Sequence, residues 1–253
     1  MSASIQVLTR AMQLLEILTR KDAPMCLAEI AEASGLPKSS AHRILMALEA
    51  EGYVRSEGQG MYAVGMSMIC LAGKVVRRGI VFQAARFMRE LRDLTQCSVY
   101  LSTVNNFELV YLHRAPGPIA PVNDIGYIRD IYDGNRGGRA ILSTYSEQQI
   151  EELFLRRPLT PRTDLSLKTR EAFLEELERT RRRGYAYSVG EYLVGVSGIG
   201  APVYDYTDEC VAALSLSAVA STIPCDIEEY AGVLLRTAEE ISQWLGYGKN
   251  ASA

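Results

Sequence analysis

The chain has 253 residues, with 27 Lys and Arg against 30 Asp and Glu, a formal net charge of −3 and an apolar fraction of 48%. That length suits two domains rather than one, and that apolar fraction is ample for buried cores. The charge excludes a protein that is basic throughout: even residues 1–65 carry six basic side chains against seven acidic, net −1, so any nucleic-acid binding has to be local.

Leu8, Ala11, Leu15 and Leu18 fall at helical spacing and predict a first helix, which Lys21-Asp22-Ala23-Pro24 ends. Leu27, Ile30 and Ala31 form the stripe of a second helix that stops at Gly35. After Leu36-Pro37, a third helix buries Ala41, Ile44, Leu45 and Leu48. Two helices about a Gly-containing turn are the pattern of a helix-turn-helix. The third helix displays Lys38, Ser39, Ser40, His42 and Arg43 near its N-terminus, with no acid until Glu49. A recognition helix presents its base-reading and phosphate-gripping side chains at that end. Gly52–Ser56 then reads as a strand, Gly58-Gln59-Gly60 as a turn and Met61–Val64 as a returning strand. Three helices followed by a β-hairpin make a winged helix-turn-helix. Ser39, Ser40, His42 and Arg43 are the expected readers of DNA, with Lys38 and Gln59 on its backbone.

Residues 66–81 read as a linker helix, and the next helix, Phe82–Thr95, is expected to bury Ala84, Phe87, Met88, Leu91 and Leu94. From Cys97 the period changes. Ser98–Val104 and Glu108–Arg114 are period-two strands joined at Asn105-Asn106. A Pro-rich loop (Pro116, Pro118, Pro121) follows, and residues 122–133 read as a strand plus a turn. Gly134-Asn135-Arg136-Gly137-Gly138 feeds a helix through Ile141 and Leu142. Ser146 with Gln149 caps another helix, and Glu171–Arg183 is a third, ended by Gly184. Strands resume at Tyr185–Val189, Ile199–Tyr204 and Cys210–Ser217. Asp226 and Glu229 cap a final helix through Ile227, Val233, Leu234, Ala238, Ile241 and Leu245. Helices flanking a mostly antiparallel sheet give an α+β domain. The expected division is a DNA-binding domain at 1–65, the linker helix at 66–81, and an effector and oligomerisation domain at 82–250.

The chain resembles the IclR family of bacterial transcription regulators. In the first part the resemblance rests on Arg10-Ala11, Leu14 to Leu18, Glu29-Ile30-Ala31, Gly35 to Leu45, Gly52-Tyr53-Val54 and Tyr62 to Gly65. More loosely, it continues through Gly138 to Leu142, Arg183-Gly184-Tyr185, Glu191, Gly195-Val196, Ile199 to Val203 and Ala212 to Ser217. The resemblance implies a GAF-like effector domain and homodimers, often paired into dimers of dimers. It also implies a small organic-acid ligand held by residues that correspond here to Arg136, Gly137, Ser188, Gly198, Ser215 and Ser217. Three departures stand out: Asp130-Ile131-Tyr132-Asp133 in place of a small-residue run with histidine, Ser188 where an acid is frequent, and Gly198 where a cysteine is frequent.

The residues themselves support an anion site in outline. Gly134–Gly138 leads to a helix N-terminus, Arg136 and Arg139 add charge, and Arg grips a carboxylate bidentately. Ser215 and Ser217 share one strand face, which is either solvated or lines a polar cavity. Against this stands a hydrolase reading, in which Gly195-Val196-Ser197-Gly198-Ile199 is an incomplete nucleophile elbow served by His113, and a winged helix used for protein contacts. No metal-ligand, phosphate-loop or dinucleotide pattern occurs, so neither a metal nor a cofactor is expected. Cys26, Cys70, Cys97, Cys210 and Cys225 are scattered and odd in number, which reads as reduced thiols. With no signal segment and no run long enough to span a bilayer, a cytoplasmic location is expected.

Overall fold

A computed structural model describes residues 3–21, 23–68, 70–71, 79–118, 125, 128–132, 136–221 and 227–248. It divides into two compact units, Met1–Arg78 and Gly79–Ala253, each with its own core.

In the first unit α1 (Ala3–Thr19), α2 (Leu27–Ser34) and α3 (Lys38–Ala50) enclose Leu14, Leu18, Ile30, Ala41 and Leu45. The inner stripe of α1 is Leu14, Leu15, Ile17 and Leu18, whereas Leu8 is 66% exposed. The first turns of α1 extend past the three-helix core, so Leu8 has nothing to pack on. Gly35, in the left-handed region at φ 65°, ends α2 and donates its N–H to the Ala31 and Glu32 carbonyls, as a helix-terminating glycine does. β1 (Met25–Cys26), β2 (Val54–Ser56) and β3 (Met61–Val64) form an antiparallel sheet in the order β1-β3-β2. The two residues of β1 are too few for periodicity to reveal. Half of the expected linker helix (69 and 72–78) lies outside the described residues, and its last two residues, Ile80 and Val81, belong to the next helix.

The second unit is a six-stranded antiparallel sheet in the order β6-β5-β4-β9-β8-β7. Its strands are β4 (Ser98–Asn105), β5 (Glu108–Ala115), β6 (Ile128–Asp130), β7 (Ala186–Val189), β8 (Val196–Tyr204) and β9 (Cys210–Val219). On one face α4 (Ile80–Thr95) and α8 (Ile227–Trp244) cover Val99, Leu101, Ile199, Ala201, Leu214 and Leu216. The inner side of α4 is Val81, Ala84, Met88 and Leu91. Leu94 is 68% exposed, contrary to the expected stripe, because α4 begins at Ile80 and Val81 sets the phase. On the other face lies α5 (Arg136–Leu142), with α6 (Glu147–Arg156) and α7 (Arg170–Arg183) outside it. The Ser146–Gln149 capping box and the Gly184 stop are present. The strand expected in 122–133 is β6; half of that stretch, with Gly134, Asn135 and Asp226, lies outside the described residues.

α5 differs from expectation. The helix starts at Arg136, so Gly137 and Gly138 lie inside its first turn rather than before it. Close packing accounts for one glycine within it and one beneath it: a Cβ on Gly138 would stand 2.8 Å from the Ile131 carbonyl oxygen, and one on Gly200 of β8 would stand 2.6 Å from that of Arg136.

Candidate DNA-reading helix and effector site

On α3, Ala41 and Leu45 are buried with Ile44 and Leu48 beside them. At roughly 100° per residue, Ser39, His42, Arg43 and Met46 share the opposite, outward face, with Lys38 and Ser40 on its two flanks. Lys38, Ser39, His42 and Arg43 are exposed and Ser40 is half-buried. Ser40 and Arg43 also border a cleft of about 440 Å³ against Val7, Arg10 and Ala11 of α1. Met46, 49% exposed at the centre of that face, is a residue the sequence reading passed over. Carrying the helical period one turn past Arg43 would have found it. At the wing tip Gln59 is exposed, with φ 51° between Gly58 at 85° and Gly60 at 73°. Met61 N–H closes the turn onto the Gly58 carbonyl at 3.0 Å. Arg55, beside the wing, is paired with Glu57.

The residues expected around a ligand converge on the α5 face of the large sheet. Register places Ser188, Gly198, Ser217 and Ser98 in one row across β7, β8, β9 and β4. Gly200, Ser215 and Tyr100 form the next row. Ser188, Ser215 and Ser217 are at most 3% exposed, so the face is not solvated. Arg136 leaves the start of α5 and lies flat on Gly198, where a Cβ would stand 2.1 Å from its Nε and 2.5 Å from its Cδ. Its Nη2 donates to Ser217 Oγ at 2.6 Å. Burial is the leading influence on Arg136 and lowers its pKa, with the Tyr111 and Tyr100 phenols next among its neighbours. Those two rings meet edge to face at 5.3 Å and form a wall that the sequence did not single out.

Arg139 corrects an expectation. It is not available to an anion. Its guanidinium, 3% exposed on its side chain, grips Glu191 through both nitrogens at 3.2 and 2.5 Å and also donates to the Tyr187 carbonyl at 2.9 Å. Glu191 itself is fixed: Ser166 Oγ donates to its carbonyl at 2.6 Å. The neighbouring Tyr192 ring lies under the Arg129 guanidinium at 3.7 Å.

The hydrolase arrangement is not formed. Ser197 is the second residue of β8, fully buried, and donates to the Val219 carbonyl at 2.9 Å. His113 is on β5, three strand spacings or about 14 Å away across the sheet. Among the described residues no cluster of His, Cys, Asp and Glu fits a metal ion, and no helix is long and apolar enough to cross a membrane. Cys26, Cys70, Cys97 and Cys210 are free thiols.

Comparison with known proteins matches both units. The model of the IclR helix-turn-helix domain matches residues 7–58, and that of the bacterial transcriptional regulator IclR C-terminal domain matches residues 72–243. The chain is 27% identical to the transcriptional repressor IclR of Escherichia coli, over 98% of this chain and 92% of that one. The Thermotoga maritima IclR structure superposes with a TM-score of 0.73 at 30% identity, covering 96% of this chain and all of that one. An IclR homologue from Microbacterium hydrocarbonoxydans, complexed with 4-hydroxybenzoate, has the same fold, with a TM-score of 0.84 at 21% identity and coverage of 94% and 98%. Matched one to each unit in chain order, these models establish that the chain belongs to the IclR family of bacterial transcription regulators.

Proposed function

We propose that this regulator binds a near-palindromic operator in the cytoplasm as a homodimer, with pairing of dimers as the further step, and that a small organic acid in the second unit changes its operator affinity. One recognition helix reads too few base pairs for a unique site, and two copies related by a two-fold axis supply the rest. The observation that carries the DNA reading is the outward face of α3, which offers Ser39, His42, Arg43 and Met46 and no acid before Glu49. Ser39, Ser40, His42 and Arg43 read or position the DNA, with Arg43 the reader of guanine edges. Lys38 and Gln59 hold backbone phosphates.

For the effector, the reading rests on Arg136, Gly137, Ser188, Gly198, Ser215 and Ser217 coming together on one buried face. The relative that holds 4-hydroxybenzoate, itself a carboxylate, supports an acid as the ligand class. Catalysis is not part of the reading, since Ser197 is buried and His113 is remote from it.

Fluorescence anisotropy on DNA from upstream of the regulator's own gene, against a scrambled duplex at two salt concentrations, tests it. Preference for the upstream DNA that survives the higher salt is expected, because non-specific binding collapses as salt rises. Equal binding of both duplexes, repeated on a random-sequence pool, contradicts it.

A further inference from the structure

Met46 is the one large apolar side chain on the outward face of α3, and it is 49% exposed. It completes neither the core nor the cleft beside it. From α3 the core takes Ala41 and Leu45, with Ile44 and Leu48 packed against them. The cleft against α1 takes Ser40, Arg43, Ile44, Ala47 and Leu48. Ser39, His42, Arg43 and Met46 stand at positions i, i+3, i+4 and i+7, the spacing at which a helix in the major groove presents its base-reading side chains. At about 1.5 Å and 100° per residue, Met46 lies within about 20° of Ser39 in projection and about 4.5 Å beyond Arg43 along the axis.

The surroundings of Met46 are clear of competing groups. Glu49, the first acid on that side of the helix, accepts a hydrogen bond from the Ser56 N–H of β2 at 3.2 Å. Ala47 and Ala50, the exposed residues beside and beyond Met46, end at Cβ. A duplex lying on Ser39 and Arg43 therefore meets a thioether and its terminal methyl as the next group along the helix. A polar base edge set against them would lose water without gaining a partner, because a thioether donates nothing and accepts weakly. The apolar group that base pairs present in the major groove is the C5-methyl of thymine.

We propose that Met46 is a specificity-determining residue that reads a thymine by its C5-methyl group, one or two base pairs from the guanine that Arg43 reads. The proposal rests on the DNA reading above and deepens it. The separation follows from the helix: three residues advance about 4.5 Å, and successive base pairs lie about 3.4 Å apart. An unbranched, polarizable side chain adapts its reach to the methyl.

The test begins with selection of the operator from a random-sequence duplex pool by the full-length protein. The Arg43 guanine is the position at which Arg43→Ala loses its base preference. Each thymine is then replaced in turn by deoxyuridine, which removes the methyl group and leaves the hydrogen-bonding edges of the base pair unchanged. Anisotropy is expected to show a loss of about fourfold at one thymine beside that guanine, the value of one buried methyl, and about sixteenfold when both half-sites are changed. Met46→Ala binds the thymine operator more weakly by a similar factor and no longer distinguishes thymine from deoxyuridine there. Met46→Leu, which stays apolar and reaches nearly as far, keeps the distinction.

If Met46→Ala loses as much affinity as the wild type on passing from thymine to deoxyuridine, the assignment of Met46 is overturned. It is overturned equally if no single deoxyuridine weakens the wild type. Both results leave the DNA reading standing. A pool from which no sequence is enriched overturns that reading and this proposal together.

Discussion

Replacing Arg136 by Met should make the ligand-free protein more stable, although it removes a hydrogen bond. The side chain lies against Gly198 with Ser217 as its hydrogen-bond partner and no ion pair among the described residues. Burying an ion costs several kcal/mol, and exchanging buried ionic groups for apolar side chains of similar volume has stabilised proteins by ~1–4 kcal/mol. Methionine is unbranched and follows the same path over Gly198. Against that gain, Ser217 loses its donor while remaining 1% exposed, an offset of about 1 kcal/mol. The net expectation is a gain of ~0–3 kcal/mol, or up to roughly 10 °C for a domain of this size. Scanning calorimetry of wild type and variant, in chloride buffer without carboxylates, resolves a shift of that size. The reasoning is refuted if the variant melts lower by several degrees. That result would mean that the guanidinium already has a stabilising partner and is not held in readiness for a ligand.

Other substitutions probe the same account elsewhere. Glu191→Ala leaves the Arg139 guanidinium buried without its carboxylate, which should cost ~3–5 kcal/mol and lower the melting temperature by about 10 °C; an unchanged melt would show that the pair is not stabilising. Arg43→Ala should weaken operator binding by ~1–3 kcal/mol and relax preference at one base pair, read by anisotropy on single-substituted operators. Retained affinity together with retained preference would assign Arg43 to the cleft with α1 instead. His113 is half-buried, and burial, then the Arg89 guanidinium, hold its pKa below the ordinary 6.5. The unfolded chain therefore takes the proton first, so this contribution is complete above pH 6.5 and declines as pH falls through 6.5 towards the lower folded value. Urea unfolding at about pH 7.5 and 5.5 should show the wild type losing more stability than His113→Gln. Equal losses would remove the histidine from the account.

The DNA-binding unit was almost fully legible in the sequence because its signals are local: helical stripes, Gly35 as a stop, and glycines on both sides of Gln59. What escaped was small or displaced, namely the two-residue β1 and the phase of α1, where Leu8 satisfies the period but overhangs the core. In the second unit the strands and caps could be read, but the site could not be completed from spacing. Arg136 and Gly198 are brought together by α5 lying on β8, a contact between segments sixty residues apart that periodicity does not encode. The same holds for Arg139, whose charge looks available until Glu191 arrives from the far side of β7. Tyr100 and Tyr111 carry only the alternation of their strands, so nothing marked their rings as a wall beside Arg136.

The most direct test joins the two units in one assay. Operator binding is followed by anisotropy while a small acid that stabilises the wild-type protein is titrated in, for wild type and Arg136→Met side by side. The account predicts that the acid shifts the operator affinity of the wild type about 5- to 150-fold, the usual range of coupling between two sites, and leaves that of the variant unchanged. Wild-type operator affinity that stays constant across saturation with an acid known to bind would contradict it, because a ligand with no differential affinity for the two states regulates nothing.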